Sequence, residues 1–392
     1  MSTRWTLWEW PFFEQSHRDL AVAVADWNAR AHVALEGEGA SKGNLVDQCR
    51  AIARNLGDAD LLRYVVPPVG TTPDVRSICV IREALTYGHA LADAIFAMQG
   101  IGTMAIQRFG TDAQKEKYLE PCRRGRHIAA LALTEPEGGS DVASTATTAV
   151  FDGNAYVLNG EKTLISNAGF ADHYIVVART GEAPGSRGLT AFLVDADTPG
   201  LTVGAPIDFI APHPAAPVTF ADCRVRVDSL LGAPGQGFKV ALGAFDIFRS
   251  SVGAAAVGLG RRALAETLAH VKSRKLFGRP MAELQGVQMA LAEMATDIDL
   301  AALSVYRAAW VQDVQHAKGS YSASMAKLAG AEAAGRVVDR AVQLLGGKGV
   351  TRGNIIEQLY REARPMRIYE GTSEVQKLVI ARAMLAGLER PM

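Results

Sequence analysis

The sequence predicts an α+β chain in three parts: a helical N-terminal segment (1–128), an antiparallel β segment (129–232) and a C-terminal helical bundle (233–392). Three observations carry this reading. Both ends are rich in Ala and in apolar residues at helical spacing. The middle third breaks into short runs of β-branched and aromatic residues. Gly- and Pro-containing turns punctuate the chain between these textures.

Taken in order, residues 19–32 and 82–98 are Ala-rich with few β-branched runs and read as helices. The cluster Val66-Pro67-Pro68-Val69-Gly70-Thr71-Thr72-Pro73 separates them as a turn. Gly110-Thr111-Asp112-Ala113-Gln114-Lys115 reads as a C-cap followed by a new helix start. Residues 145–151 alternate as a strand, Asp152-Gly153-Asn154 turns the chain, and 155–158 form the next strand. Further strand-like runs follow at 174–178, 189–194 and 217–226, punctuated by Asn159-Gly160 and Thr198-Pro199-Gly200. Helix returns at Gly237-Phe238. In 285–299 the apolar Val287, Leu291, Met294 and Ile298 fall at helical spacing, with Glu293 and Asp297 opposite. Several such helices with short breaks predict a bundle.

The totals narrow the function. At 392 residues the chain is long enough for two or three domains. Lys plus Arg and Asp plus Glu number 41 each, so the net charge is zero. A protein that binds nucleic acid or an anionic membrane without specificity usually carries a basic excess, so neither partner is expected. Cys49, Cys79, Cys122 and Cys223 form no C-x-x-C pair and have no clustered His, which predicts reduced structural thiols and no metal site. The N-terminus, MSTRWTLWEWPFFEQ, lacks the basic and continuous apolar regions of a signal peptide. No run of about 18 apolar residues occurs. A cytoplasmic protein is the expectation.

The common catalytic motifs are missing. The sequence contains no P-loop, no G-x-S-x-G elbow and no H-E-x-x-H, and Gly100-Ile101-Gly102 lacks the third glycine of a dinucleotide fingerprint. Four other segments stand out. Leu131-Ala132-Leu133-Thr134-Glu135-Pro136-Glu137-Gly138-Gly139-Ser140-Asp141 puts a Pro and paired glycines where helix gives way to strand, a loop able to aim several backbone N–H groups at one ligand atom. Lys162-Thr163-Leu164-Ile165-Ser166-Asn167 lies in the β segment. Arg274-Lys275-Leu276-Phe277-Gly278-Arg279-Pro280 and then Gln285 place a cation and an aromatic just before a long helix. Gln343-Leu344-Leu345-Gly346-Gly347-Lys348-Gly349 ends one helix, and Ile368-Tyr369-Glu370-Gly371-Thr372-Ser373-Glu374 begins another. A carboxylate flanked by apolar groups, as Glu370 is, has the raised pKa that suits a general base near neutral pH. Taken singly, each segment has an ordinary structural reading: an interdomain turn, a strand end, a solvated basic corner, a surface Glu before a helix.

Together, their order and spacing resemble the acyl-CoA dehydrogenase family over almost the whole chain. Thr134-Glu135-Pro136 through Ser140-Asp141 is similar to one family signature. Gln343 to Gly349 with Tyr360-Arg361-Glu362-Ala363-Arg364 is similar to a second, and Ile368 to Glu374 to the catalytic segment. The resemblance implies the family's helical, β and helical domains, with FAD bound by the last two. By position it implies that the stretch from Leu131 through Leu133, Thr134, Gly139 and Ser140 lines the flavin, and that Leu164, Ile165 and Ser166 meet it, with the Ser166 hydroxyl near flavin N5. Arg274, Phe277 and Gln285 would reach the FAD of a neighbouring subunit. Gln343, Gly346 and Gly347 would contact its adenosine diphosphate part, and Thr372 and Glu374 the same cofactor. Ser140, Asp246, Arg249 and Gly371 fall on the substrate side.

The chemistry implied is α,β-dehydrogenation of an acyl-CoA thioester to the 2-enoyl-CoA. Glu370 takes the α-proton, and the β-hydrogen leaves as hydride to the flavin. The resemblance also implies electron-transferring flavoprotein as acceptor and a homotetramer. Some relatives carry the base on the helix just before the arginine that Arg249 resembles; Phe248 stands there and cannot serve. Three departures bear on substrate and acceptor: Leu164 replaces an aromatic, Gly353 an acidic residue, and Ile210-Ala211-Pro212-His213-Pro214 is not the expected loop. The stretch 91–100 is similar to the glutaryl-CoA branch, with Gln99 in common, but Asp93 stands where that branch has an arginine. A neutral acyl group is therefore expected, and a short, branched or alicyclic one. The rival readings are an acyl-CoA oxidase and a non-catalytic flavin-binding relative.

Overall fold

A computed structural model describes residues 9–36, 44–316 and 319–387, with side chains described from 9–31 in the first stretch. Residues 1–8, on which part of the leader reading rests, lie outside them. The chain divides into two compact units: Met1–Gly37 with Asp74–Asp93 and Asp246–Met392, and Glu38–Pro73 with Ala94–Phe245.

The first unit is helical. It contains α1 (Gln15–Glu36), α3 (Val75–Gly88), α7 (Phe245–Ser273) from its second residue, α8 (Gln285–Val314), α9 (Ser320–Leu345), α10 (Ile355–Ala363) and α11 (Ser373–Leu385); α2 (Leu45–Asp58) falls in the other unit. Asp74 caps α3 by accepting from Ser77 N, and its carboxylate also meets His17 of α1 at 2.8 Å. In α7 and α9 most buried residues are Gly, Ala or Ser, which lets backbones approach. A Cβ at Gly253 of α7 would lie 2.6 Å from the Ala326 carbonyl oxygen of α9, and one at Gly330 of α9 would lie 2.6 Å from the Gly253 carbonyl oxygen. A Cβ at Gly258 would lie 2.1 Å from the Glu83 carbonyl oxygen of α3. Any side chain at these crossings forces the helices apart. Glu83 itself is buried and paired, with Arg261 at 2.9 Å and the Tyr306 hydroxyl at 2.6 Å.

The second unit is built on an eight-stranded sheet. Its strands are β1 (Ala129–Ala132), β2 (Thr148–Phe151), β3 (Ala155–Ser166), β4 (His173–Arg179), β5 (Leu189–Asp195), β6 (Leu201–Val203), β7 (Ala215–Arg226) and β8 (Leu230–Leu231). They run in the order β6-β7-β3-β2-β4-β5-β8, with β1 paired to β4. The ladders are antiparallel except β1 with β4 and β2 with β4, which are parallel. Helices α4 (Ala90–Phe109, from Ala94), α5 (Asp112–Arg123) and α6 (Gly237–Leu242) complete it. The expected start at Thr111 is a full capping box with Gln114.

Three local expectations differ from the structure. Residues 82–98 are not one helix: His89, at φ −154°, ends α3 and α4 begins at Ala90. Gly88, the last residue of α3, marks the break, and Leu85-Thr86-Tyr87-Gly88-His89 interrupts the Ala-rich texture there. Asn159-Gly160 does not end a strand. It is a register shift inside β3, where Gly160 packs against Thr147. Residues 129–132, apolar without alternation, form the strand β1 that periodicity could not distinguish from buried helix.

Segment Gly237–Ser273 is long and apolar enough to cross a membrane by length and composition alone, and most of its apolar window is buried within the protein. All four cysteines are free and buried.

Candidate active site

Glu370 lies in the helical unit, on the short connection between the 3₁₀ turn Pro365–Arg367 and α11. It has φ 54° and Gly371 has φ 89°. Two successive left-handed residues make a sharp turn, and the non-glycine one costs about 1 kcal/mol. The surroundings hold it. Gln376, fully buried, donates through Nε2 to the Glu370 and Gly371 carbonyls at 3.2 and 2.9 Å. Lys327 of α9, also fully buried, donates through Nζ to the Gly371 carbonyl at 2.8 Å. Thr372 caps α11 by accepting from Val375 N, a contact worth about 1 kcal/mol. Ser373 Oγ and Arg367 both donate to Glu332, at 2.6 and 2.9 Å.

These contacts engage the backbone of the turn and leave one Glu370 carboxylate oxygen without a partner: Oε2 is buried and has no hydrogen-bond partner among the described residues. Burial raises its pKa above the ordinary carboxylate value, Asp93 adds to the rise, and the charges of Arg82, Lys327 and Arg249 oppose it. Burial in turn lowers Lys327 to about 8, against the pull of Glu370. Arg82 is committed elsewhere: Nε and Nη2 meet the two Asp93 oxygens at 2.7 and 2.9 Å, and Nη1 donates to Ser251 Oγ at 2.9 Å. Asp93 is thus a paired carboxylate rather than the lone opposing charge expected from sequence. Phe248 is fully buried, and its carbonyl accepts from Ser251 Oγ at 2.8 Å. Asp246, on the first turn of α7, accepts from Ser320 Oγ at 2.7 Å, with half-buried Arg249 on the next turn.

A second cluster in this unit gathers the other expected cofactor residues. Lys275–Leu276 and Arg279–Pro280 form the hairpin β9–β10, whose turn residues Phe277 and Gly278 have φ 51° and 79°. Phe277 is 92% exposed. Arg274, Gln285 and Gln343 are exposed too. They share one base, because Val271, Met281 and Val287 form an apolar cluster onto which Leu276, Leu284, Leu291 and Leu344 pack. Gly346, at φ 60°, and Gly347 have open space where a Cβ would be. Glu374 is exposed on the first turn of α11.

In the β unit, the loop after β1 is pinned to β3. Glu135 and Gly138 exchange backbone hydrogen bonds, both 3.1 Å, to close a tight turn. Thr134 O accepts from Thr163 N at 2.9 Å. Fully buried Lys162 donates to the Leu133 carbonyl at 3.2 Å and to the Glu135 carboxylate at 2.8 Å. Glu135 also accepts from Ala146 N and Thr147 N at 2.6 and 3.0 Å. Burial alone would raise this carboxyl; the hydrogen bonds from Lys162, Thr147 and Ala146 bring it below its usual value. Half-buried Leu131 and Thr134, buried Leu133, and exposed Gly139 and Ser140 follow along this loop. Beside it the β3–β7 register shifts between Lys162 and Ile165, and Leu164 bulges out at φ 56°, half exposed. Ile165 is buried, and Ser166 Oγ lies 2.7 Å from His213 Nε2.

Each unit by itself carries groups of a kind that a flavin cofactor can use: the β unit an apolar bulge beside a fixed loop, the helical unit an exposed aromatic with a cation, open glycines and a carboxylate with one unpartnered oxygen. Sequence reasoning missed Arg82, Lys327, Gln376 and Lys162. Lys327 had a signal: it lies in the small-residue stripe Ala323, Ala326, Gly330, Ala331, so it faces the core. Gln99, by contrast, is spent on structure. It donates to the Cys122 and His127 carbonyls at 3.1 and 2.8 Å and accepts from Ala129 N at 2.8 Å.

Family models described as the N-terminal, middle and C-terminal domains of acyl-CoA dehydrogenase match residues 14–126, 130–223 and 235–385. The chain is 39% identical over 320 residues to a 3-(aryl)acrylate reductase of Clostridium sporogenes, covering 81% of this chain and 84% of that one. It is 38% identical over 340 residues to the human mitochondrial short-chain specific acyl-CoA dehydrogenase, covering 86% and 82%. A glutaryl-CoA dehydrogenase from Mycobacterium smegmatis, solved in complex with FADH2, superposes with a TM-score of 0.86 at 26% identity, covering 96% of each chain.

Proposed function

Because the chain belongs to the acyl-CoA dehydrogenase family, a family of FAD-dependent oxidoreductases acting on acyl-CoA, we propose that Glu370 is the base of its dehydrogenation step. The observation that carries this is the Glu370 carboxylate itself: its Oε2 is buried and without a hydrogen-bond partner among the described residues, and its pKa is raised. Bound FAD supplies the acceptor for the β-hydrogen as hydride. Everything else falls to the chain. The Glu370 backbone N–H, directed by the left-handed turn, polarises the thioester carbonyl and acidifies the α-carbon. The carboxylate then takes the α-proton.

In this reading the flavin is held by Leu131, Leu133, Thr134, Gly139 and Ser140 and by Leu164, Ile165 and Ser166. Thr372 and Glu374 add to it. Arg274, Phe277, Gln285, Gln343, Gly346 and Gly347 serve the FAD of a neighbouring subunit in a homotetramer. Phe277, 92% exposed at the tip of the β9–β10 hairpin, is free to reach such a neighbour. Ser140, Asp246, Arg249 and Gly371 meet the CoA ester. The three segments 1–128, 129–232 and 233–392 are the domains, the location is the cytoplasm, and electron-transferring flavoprotein takes the electrons.

For the acyl group we propose a neutral, short, branched or alicyclic chain. All three guanidinium nitrogens of Arg82 are engaged by Asp93 and Ser251, so this arginine is not available to a distal carboxylate. The short-chain specificity named for the human relative agrees. The test is anaerobic titration of the flavoenzyme with butyryl-, isobutyryl-, cyclohexanecarboxyl-, 3-phenylpropionyl-, octanoyl-, palmitoyl- and glutaryl-CoA. Fastest bleaching by one of the first three is expected; fastest bleaching by 3-phenylpropionyl- or octanoyl-CoA would refute the short, branched or alicyclic assignment. Fastest bleaching by palmitoyl- or glutaryl-CoA would refute the acyl assignment, and bleaching by none would refute the dehydrogenase.

A further inference from the structure

Pro212-His213-Pro214, the loop that departs from the family pattern, enters β7 beside the end of β3. Proline fixes φ at 212 and 214, and His213 is restricted by the proline that follows it. The loop is anchored next to His213: the Pro214 carbonyl accepts from Asn167 N at 2.8 Å, and Ala215 pairs in register with Ser166. Asn167 is fully buried, and its Nδ2 donates to the Ala129 carbonyl at 2.9 Å. The His213 ring stands edge-on to Phe209, centroids 5.9 Å apart at 81°. A side chain with so little freedom keeps one direction, and its Nε2 lies 2.7 Å from Ser166 Oγ.

We propose that His213 is a positioning residue that sets which way the Ser166 hydroxyl proton points, and thereby biases the oxidised–reduced balance of the flavin. The proposal rests on the assignment of Ser166 to the flavin face. A hydroxyl has one proton and two lone pairs, and a neutral imidazole has one N–H. Burial pushes the His213 imidazole down to about 4, so it is neutral at working pH. If Nε2 carries the hydrogen, it donates to Ser166 Oγ and frees the serine proton for an acceptor. If Nε2 is bare, Ser166 donates to His213 and offers only lone pairs elsewhere. A flavin ring nitrogen accepts a hydrogen bond when oxidised and donates one when protonated on reduction. Fixing the serine proton therefore favours one redox form over the other.

The experiment is a potentiometric titration of the FAD-loaded protein for wild type, His213→Phe, His213→Gln, Ser166→Ala and the double variant Ser166→Ala/His213→Phe. Flavin absorption band shape, FAD content and the unfolding midpoint are recorded alongside. His213→Phe should change the oxidised-to-reduced ratio at fixed poise about tenfold, which is about 30 mV for a two-electron couple. His213→Gln, which keeps a polar group facing the hydroxyl, should shift it less. In the Ser166→Ala background His213→Phe should add nothing, because the hydroxyl it acts through is gone. An unchanged potential in both His213 variants, with Ser166→Ala shifted, overturns the positioning role alone. The same His213→Phe shift with and without the serine also overturns it. If Ser166→Ala leaves potential and spectrum unchanged, the assignment of Ser166 to the flavin fails, and the proposal fails with it.

Discussion

At the scale of single residues, the protonation of Glu370 is set by a contest. Burial holds its carboxyl up, and Arg82, Lys327 and Arg249 pull it down. The base works only when deprotonated, so kcat/KM should rise with pH through this raised pKa. Lys327 both opposes the rise and holds the Gly371 carbonyl. Lys327→Met should move the acid limb of the kcat/KM profile upward by about one pH unit. Lys327→Arg, which keeps the charge, should move it less. A limb that stays in place or moves to lower pH in Lys327→Met would show that the ammonium does not act on the base. At this scale the sequence singled out Glu370 as the candidate base but not its surroundings. Ile368 to Glu374 is one contiguous stretch and legible in order, whereas Arg82, Lys327 and Gln376 come from α3, α9 and α11 and meet Glu370 only through folding.

At the scale of elements, small residues decide how the helical unit packs. The helices α7 and α9 touch backbone to backbone at Gly253 and Gly330, one turn from Lys327. Gly330→Ala places a methyl 2.6 Å from the Gly253 carbonyl oxygen. Overpacking of this kind costs about 1–3 kcal/mol, and it would shift Lys327 with its helix. Chemical denaturation should register the loss, and kcat should fall with it. A variant within about 0.5 kcal/mol of wild type would mean that the helices do not cross so closely. The elements themselves were largely legible, because periodicity reports which face is buried. The ends were less so. The break at His89 follows Gly88, a stop signal that the Ala-rich reading of 82–98 passed over, and the bulge at Leu164 follows from the β3–β7 register, which no local pattern encodes.

At the scale of the whole molecule, the exposed group Arg274, Phe277 and Gln285 ties cofactor retention to assembly in the reading proposed above. Arg274→Ala should weaken FAD retention about tenfold, as loss of a charged hydrogen bond does, and loosen the oligomer together with it. Gel filtration with flavin absorbance reads both; a monomeric wild type with full FAD would contradict the shared site. The family was legible because its signatures recur in order along nearly the whole chain. The acyl group was not, because pocket shape depends on residues brought together from distant segments, and Asp93 changed meaning once its partner Arg82 was seen. Proton abstraction by Glu370 is what the proposed chemistry depends on. Stopped-flow reduction of FAD-loaded Glu370→Gln by the best acyl-CoA of the panel, without oxygen, isolates that step. If Glu370 is the base, the variant keeps normal FAD content and the spectral change on acyl-CoA binding, and bleaches about 100-fold or more slowly. Bleaching at more than about a tenth of the wild-type rate would mean that another group takes the proton.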